Sequence, residues 1–360
     1  MCACHVNATF SAPLRIGLIA DIQYADIEDG SDYSGRETRR YRRALSLTKA
    51  AVDVWNAAGV EVVVQLGDII DGHNATQGCG TSAALSNVLA ELERCNAQRR
   101  YDLIGNHELY NVLRESLPTS GLRCLGPEGK TYRSEPLNDH WQAVILDPYE
   151  VSLLGFGQDS GSPEFQEATG LMQNFNPKAM EGSGNWFDGL SEEMHRYVPY
   201  NGGVSQTQLY WLRGALKEAS DSGRKVLVFT HVPLYVSATT QKTLAWNADE
   251  ILDVLHQHRD CVVAVFAGHD HNGGYAVDDA GLHHVTMNSP LTAPAESDSC
   301  CAVLECHGSG EARFVAHGRA CVESFSRGEG RAYSELRLAR GARNEPSLPA
   351  LPTDGAAADG

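Results

Sequence analysis

The chain has 360 residues, 42% of them hydrophobic and 21% charged, with a formal net charge of −17. That composition is enough for a sizeable core and excludes a wholly disordered chain. The acidic balance argues against a nucleic-acid partner, because a phosphate backbone needs a basic face. No apolar run reaches the roughly 18 residues of a membrane helix, and the first residues lack the charged and apolar regions of a secretory signal. The ten cysteines are irregularly spaced and form no paired CxxC motifs. They read as reduced thiols of a cytoplasmic protein. Asn7-Ala8-Thr9 and Asn74-Ala75-Thr76 match glycosylation acceptors and read as chance matches.

Strand-like and helix-like segments alternate along the chain, the signature of an α/β domain. Residues 1–13 form an N-terminal extension. Residues 14–20 read as the first strand, and the basic stretch from Glu37 to Ala58 reads as a helix ending at Gly59. Strand 61–66, a helix from Ser82 to Asn96, a short strand through Leu103-Ile104 and a strand from Trp141 to Leu146 follow. Residues 150–204 are rich in Gly, Ser, Pro and Asn, and read as a lid-like insertion without regular structure. Ser205 with Gln208 forms the pattern of a capping box for the next helix. Strand 225–229, a helix from Ala248 to His256 and strand 261–267 complete the alternation. Short antiparallel strands are expected over 272–317, a domain end near 335, and a disordered tail over 340–360.

Five apolar runs each end in a polar cluster. Asp21-Ile22-Gln23-Tyr24-Ala25-Asp26 follows 14–20, and Gly67-Asp68-Ile69-Ile70-Asp71-Gly72 follows 61–66. Gly105-Asn106-His107-Glu108, Thr230-His231-Val232-Pro233 and Gly268-His269-Asp270-His271 close later strands. Any one of these is weak alone, and most of the fourteen histidines have no catalytic role; His283 and His284 read as residues of the solvent or sheet face. Five clusters at five strand ends point to one metal-binding rim. Asp21 and His271 suit one metal, Asn106, His231 and His269 a second, and Asp68 can bridge them. Mixed carboxylate, amide and imidazole ligation favours manganese, iron or zinc over magnesium or calcium. Two such cations acidify a shared water for in-line attack on phosphorus. His107 is placed to protonate or stabilise the leaving oxygen, and Asp71 to orient that histidine. Asp26 and Glu28 read as solvated loop acids, and Trp211 and Trp246 as packing residues.

Together these motifs resemble the calcineurin-like metallophosphoesterases. That superfamily usually opens with Asp-x-His. Gln23 at the histidine position resembles one branch, the manganese-dependent ADP-ribose/CDP-alcohol diphosphatases, as do Asn201-Gly202-Gly203, Leu244-Ala245-Trp246-Asn247 and Gly273-Gly274-Tyr275. The resemblance covers roughly residues 14–290. It implies an α/β/β/α four-layer sandwich with mixed sheets and the rim at their ends. It implies that Asp21, Gln23, Asp68 and His271 hold one metal, and Asp68, Asn106, His231 and His269 the other, with Mn²⁺ the expected ion. The implied reaction is hydrolysis of a phosphoanhydride, giving AMP and ribose 5-phosphate from ADP-ribose, or CMP and a phosphoalcohol from CDP-choline or CDP-glycerol. The nucleoside pocket is expected from the loop after Asp26 and the 150–204 insertion, with Tyr33 stacking on the base and Arg36 touching phosphate. A small-molecule substrate, a monomer and no membrane or nucleic-acid partner complete the expectation. A phosphomonoesterase, a cyclic-nucleotide phosphodiesterase or a non-catalytic scaffold of the same fold are the competing readings.

Overall fold

The computed structural model describes residues 12–342 apart from 34, 158–160, 182–183, 319–321 and 325–330, together with 344 and 348–349. Nearly all of the expected N-terminal extension, and most of the tail expected over 340–360, lie outside the described residues.

Two six-stranded mixed sheets face each other. The first runs β12–β11–β10–β1–β2–β3, with β1 Leu14–Ile19, β2 Val62–Gln65, β3 Arg99–Asp102, β10 Cys300–Cys306, β11 Ala312–Gly318 and β12 Glu335–Leu338. The second runs β8–β9–β7–β6–β5–β4, with β4 Arg133–Pro136, β5 Trp141–Ile145, β6 Lys225–Phe229, β7 Val262–Ala267, β8 Asn272–Val277 and β9 His283–Asn288. β1, β2 and β3 pair in parallel, as do β5, β6, β7 and β9. Parallel pairing brings the carboxyl ends of β1, β2 and β3 to one edge of their sheet, and those of β6 and β7 to one edge of theirs. Ligands gather at such edges in α/β folds.

Strand alternation explains the layers. Leu14, Ile16 and Leu18 of β1 point between the sheets with Val62, Val64, Trp141, Phe229, Phe266 and Phe314. Phe266 of one sheet stacks on Phe314 of the other at 6.4 Å. The opposite face of β1 meets α1, Tyr41–Ala58, whose Trp55 is fully buried and donates its indole N–H to the Ala302 carbonyl at 3.1 Å. On the other sheet α5, Gln206–Asp221, buries Leu209, Leu212, Leu216 and Ala219. The other α-helices of six or more residues among the described residues are α2 Thr81–Leu92, α3 Asn106–Asn111, α4 Pro163–Phe175 and α6 Ala248–Gln257. This is the expected four-layer arrangement.

Local differences have identifiable causes. α1 begins at Tyr41, not Glu37, because Thr38–Arg39 pair with Gly30–Ser31 as a short hairpin that takes the chain past the site. The strand expected at Leu103-Ile104 ends at Asp102. Half of the capping box forms: Ser205 Oγ accepts from the Gln208 N–H at 3.1 Å, while the Gln208 amide is taken by the Asp147 backbone and Glu150. The stretch 150–204 is not without regular structure. Ser162 caps α4 and Pro163 starts it, and Ala168, Met172 and Ala179 pack with Val151 and Trp246 in a small core of their own. Its apolar stripe is too narrow to show as a clear period. His283 and His284 are buried within β9 rather than solvent-facing. Asn74 is buried too, its amide donating to the Tyr24 and Asp71 carbonyls, which removes it as a glycosylation acceptor. No described helix is long and apolar enough to cross a membrane. The seven cysteines among the described residues are free thiols.

A Cβ added at Gly17 would lie 2.7 Å from the Trp55 ring. Gly17→Ala is therefore expected to destabilise the fold by about 1–3 kcal/mol through overpacking, read as a lower melting temperature in thermal denaturation. An unchanged midpoint would show that the α1–β1 contact is looser than described.

Candidate metal centre

The five polar clusters converge. Asp21 and Gln23 follow β1, Asp68 follows β2, Asn106 opens α3 after β3, His231 follows β6, and His269 and His271 follow β7. Asp21, Gln23, Asp68, Asn106 and His231 are buried, and His269 lies beside them. Asp68, His231 and His269 each present a ligand atom within 4.8 Å of the others. Gln23 Nε2 lies 3.0 Å from Asp68 Oδ2 and 2.9 Å from His271 Nε2, and His271 Nε2 lies 3.8 Å from Asp21 Oδ1.

The backbone is bent to achieve this. Asp21, Gln23, Asp68 and His269 are the positive-φ non-glycine residues of the described chain, at 51°, 44°, 59° and 71°. Side chains disfavour that region, and its use marks a site whose surroundings impose it. Glycines make the close approach possible. A Cβ on Gly268 would meet Asp21 Oδ2, and one on Gly105 would meet the Asp68 carboxylate.

The donor set fits divalent cations. His231 Nδ1 bonds the Leu66 carbonyl at 2.7 Å, which fixes a proton there and turns Nε2 toward Asp68 Oδ2, 3.4 Å away. His269 Nε2 bonds Asn201 Oδ1 at 2.7 Å, which leaves Nδ1 as its lone pair. Such outer hydrogen bonds are how metal-binding imidazoles are oriented. Gln23 Oε1 is buried without a partner. Burial pushes the Asp21 carboxyl up to about 6 against the pull of His231 and His271. Burial also opposes ionisation of Asp68, yet His231 and His107 hold it well below the usual carboxylate range. Burial lowers His231, but Asp68 outweighs it and raises the imidazole to about 9. Burial and the neighbouring His231 lower His269.

Glu108 was read only as part of a motif, and the structure gives it a role. Its carboxylate accepts backbone N–H groups from Asp68, Ile69 and Gly105 at 2.7, 2.6 and 2.8 Å, locking the loops after β2 and β3 together. Burial, reinforced by Asp68, lifts its acid group to about 8. Tyr149 is a second such residue: its hydroxyl donates to Asn106 Oδ1 at 3.1 Å. Neither carried a signal in sequence beyond its neighbours.

His107 lies beside this cluster. The Gly72 N–H donates to its Nδ1 at 2.8 Å, so the neutral ring carries its proton on Nε2. Burial keeps the imidazole below its ordinary value, although Asp68 and Asp71 pull it upward. Asp71 Oδ2 is 3.3 Å from the same Nδ1, while its Oδ1 caps the turn Gly72–Ala75 at the His73 N–H and bonds the His73 ring. Asp71 thus orients His107 chiefly through the turn that presents Gly72.

A cleft of about 470 Å³ opens over the cluster. Gln23, Asp68, Asn106, His107, His269 and His271 lie in its floor and Tyr33 at its fully exposed edge. Arg36 is exposed and does not line it; the cations that do are Arg39 and Lys242. Arg39 stands in the basic run Arg36 to Arg43, from which the sequence singles out only Arg36. Asp26 and Glu28 pair with Arg42, and Trp246 is buried, as their sequence context suggested.

The family model for calcineurin-like phosphoesterases matches residues 14–273. The chain belongs to the calcineurin-like phosphoesterase family. It is 35% identical over 322 residues to a Danio rerio protein, covering 86% of this chain and 96% of that one. It is 37% identical over 279 residues to an Arabidopsis thaliana protein, covering 77% and 86%, and 36% identical over 294 residues to a Homo sapiens protein, covering 77% and 83%. All three are named manganese-dependent ADP-ribose/CDP-alcohol diphosphatase. Among solved structures, a dimetal phosphatase from Danio rerio superposes with a TM-score of 0.81 at 31% identity, covering 92% of this chain and all of that one. This calcineurin-like phosphoesterase is a metal-dependent hydrolase.

Metal analysis checks the ligand set. The purified chain equilibrated with Mn²⁺ is expected to retain about two ions per molecule, and His269→Ala about one. Equal metal content in both proteins would remove His269 from the ligands.

Proposed function

We propose that this phosphoesterase hydrolyses the phosphoanhydride of nucleoside diphosphate-linked small molecules, ADP-ribose and CDP-alcohols among them, with two manganese ions. Asp21, Gln23, Asp68 and His271 would hold one ion, and Asp68, Asn106, His231 and His269 the other. The observation that carries this is the buried convergence on Asp68: His231 Nε2 lies 3.4 Å from its Oδ2 with Leu66 holding the other ring nitrogen, and Gln23, whose Nε2 donates to the same oxygen at 3.0 Å, keeps a buried Oε1 without a partner. The names of the relatives supply the substrate class. When bound, two divalent cations supply Lewis acidity, acidifying water and neutralising charge on phosphoryl oxygens. The amide at Gln23, where an imidazole is usual, suits the harder manganese ion better than zinc.

The residues do the rest. The loops tied by Glu108 keep Asp68 and Asn106 in register, and Tyr149 holds the Asn106 amide. His107 offers a neutral Nε2–H to the leaving oxygen. That suffices for this reaction, because the departing phosphomonoester has a second pKa of about 6 and leaves without a full proton. Tyr33 at the cleft edge is the candidate for stacking on the base, and Asp71 positions His107. Arg36 has weaker support, since its side chain lies outside the cleft lining. The net charge of −17 and scattered free thiols support a monomer acting in the cytoplasm on small molecules, with no nucleic acid or membrane as partner. The complete ligand set argues against a non-catalytic scaffold.

A substrate panel with Mn²⁺ tests this reading. ADP-ribose and CDP-choline are expected to be turned over with higher kcat/KM than p-nitrophenyl phosphate or a cyclic nucleotide; the reverse order would establish a monoesterase or cyclic phosphodiesterase instead. His107→Ala is expected to lower kcat by about 10²–10³-fold, the cost of a lost oxyanion donor, with metal content unchanged. Near-normal turnover in that variant would end the role assigned to His107.

A further inference from the structure

The cleft above the metal ligands is lined by the acids Asp32, Glu37, Asp68 and Asp270 and by the cations Arg39 and Lys242. In a chain of net charge −17, those cations decide where an anion settles. They reach the cluster through different neighbours. Arg39 lies close enough to His107 and His271 to act on both electrostatically, hydrogen-bonds Tyr41, and keeps a buried Nε without a partner.

Lys242 is fixed from the His269 side. Its carbonyl accepts from Asn201 Nδ2 at 2.9 Å, and the same Asn201 places Oδ1 2.7 Å from His269 Nε2. One side chain thus sets the distance between the Lys242 backbone and a metal-ligand candidate. The Thr239 and Thr243 hydroxyls, donating to Asp270 Oδ2 at 2.9 and 3.2 Å, anchor both ends of this loop to the segment that carries His269 and His271. The Lys242 ammonium lies 4.6 Å from the centroid of the Phe187 ring, on the 150–204 insertion. Among the described residues it has no carboxylate partner. A cation–π contact holds an ammonium in place without neutralising it.

From this geometry we infer that Lys242 is a specificity-determining residue that takes the second phosphate of a diphosphate, the one not seated at the metal ligands, while Arg39 serves the seated one. The inference rests on the reading of the chain as a diphosphatase and names how it tells a diphosphate from a monophosphate. A monophosphate is satisfied by the ligand cluster and Arg39. A diphosphate places a further negative charge beside the cluster, where Asp32, Glu37 and Asp270 would repel it. A lysine on a flexible stem, a compact charge without the fixed fork of arginine, suits second phosphates carrying different alcohols.

The test uses the full chain with Mn²⁺. Lys242→Gln is expected to raise both the KM for ADP-ribose and the inhibition constant of ADP by about 10-fold, the worth of a charge-assisted hydrogen bond, with the inhibition constant of AMP and the kcat within about twofold of wild type. Lys242→Arg keeps the charge and is expected to recover most of the loss. The inference fails if ADP and AMP weaken equally, if ADP binding does not move, or if kcat falls as far as KM rises. A wild-type chain that leaves ADP-ribose intact would overturn the diphosphatase reading instead, and calorimetric binding of ADP against AMP would still decide the role of Lys242.

Discussion

Three buried carboxylates, Asp21, Asp68 and Glu108, stand at one edge of the paired sheets without a lysine or arginine as ion-pair partner among the described residues. Burying charge without compensation costs far more than a fold can spare. The rest of the site follows from how that charge is balanced. Glu108 is balanced by three backbone N–H groups, and Asp21 by the His269 N–H at 2.9 Å. Asp68 takes the His107 N–H at 2.8 Å and the Gln23 amide, and still faces His231 Nε2 at 3.4 Å. Backbone dipoles offset part of the negative charge, and a pair of divalent cations is the compensation that this donor set accepts.

The same balance explains the backbone strain. A side chain at positive φ costs of order 1 kcal/mol or more, and four such residues sit within the proposed ligand set. The strands preceding them meet that cost. β1 is flanked by β2 and β10, buried on both faces, and pinned by Trp55 through Gly17. A rigid strand that ends abruptly directs the next residue wherever its last hydrogen bonds point. Asp21 N–H donates to the Gly67 carbonyl and Gln23 N–H to the Asp68 carbonyl, so the turns after β1 and β2 brace each other.

What could be read from sequence divides along physical lines. The ligand-type residues were legible because the chemistry restricts residue type and the fold restricts place: Asp68, His231 and His269 each end an apolar run, whatever the intervening loops do. The α/β class was legible from the alternation of periods, and the four-layer sandwich only through the motifs that resemble a family. Residues that act through the backbone were not. Glu108 looks like any acid in an opening helical turn, and Tyr149 like any buried aromatic; only the fold shows what their oxygens meet. Arg39 and Arg36 cannot be told apart in a run of five cations between 36 and 43. The hairpin Gly30–Ser31 with Thr38–Arg39 decides which of them turns inward. The helix α4 escaped notice because its partners, Val151 and Trp246, are distant in sequence, so its apolar stripe answers to a small local core.

That local core gives the insertion its place in the chemistry. Asn176 donates to the Trp186 and Tyr197 carbonyls, Phe175 stacks on Tyr197 at 4.3 Å, and Tyr197 stacks on Trp246. Asn201 follows at once and reaches His269 with its oxygen, and the Arg196 and Lys242 carbonyls with its nitrogen. A segment packed independently of the central sheets therefore ends in one amide that orients a metal-ligand candidate and braces the loop carrying a cleft cation. Sequence change within the insertion can reshape the cleft mouth, where Tyr200 and the Phe187–Lys242 contact lie, while Asn201 preserves the tautomer of His269. Separating the two tasks in this way lets the metal chemistry stay fixed as the wall above it varies.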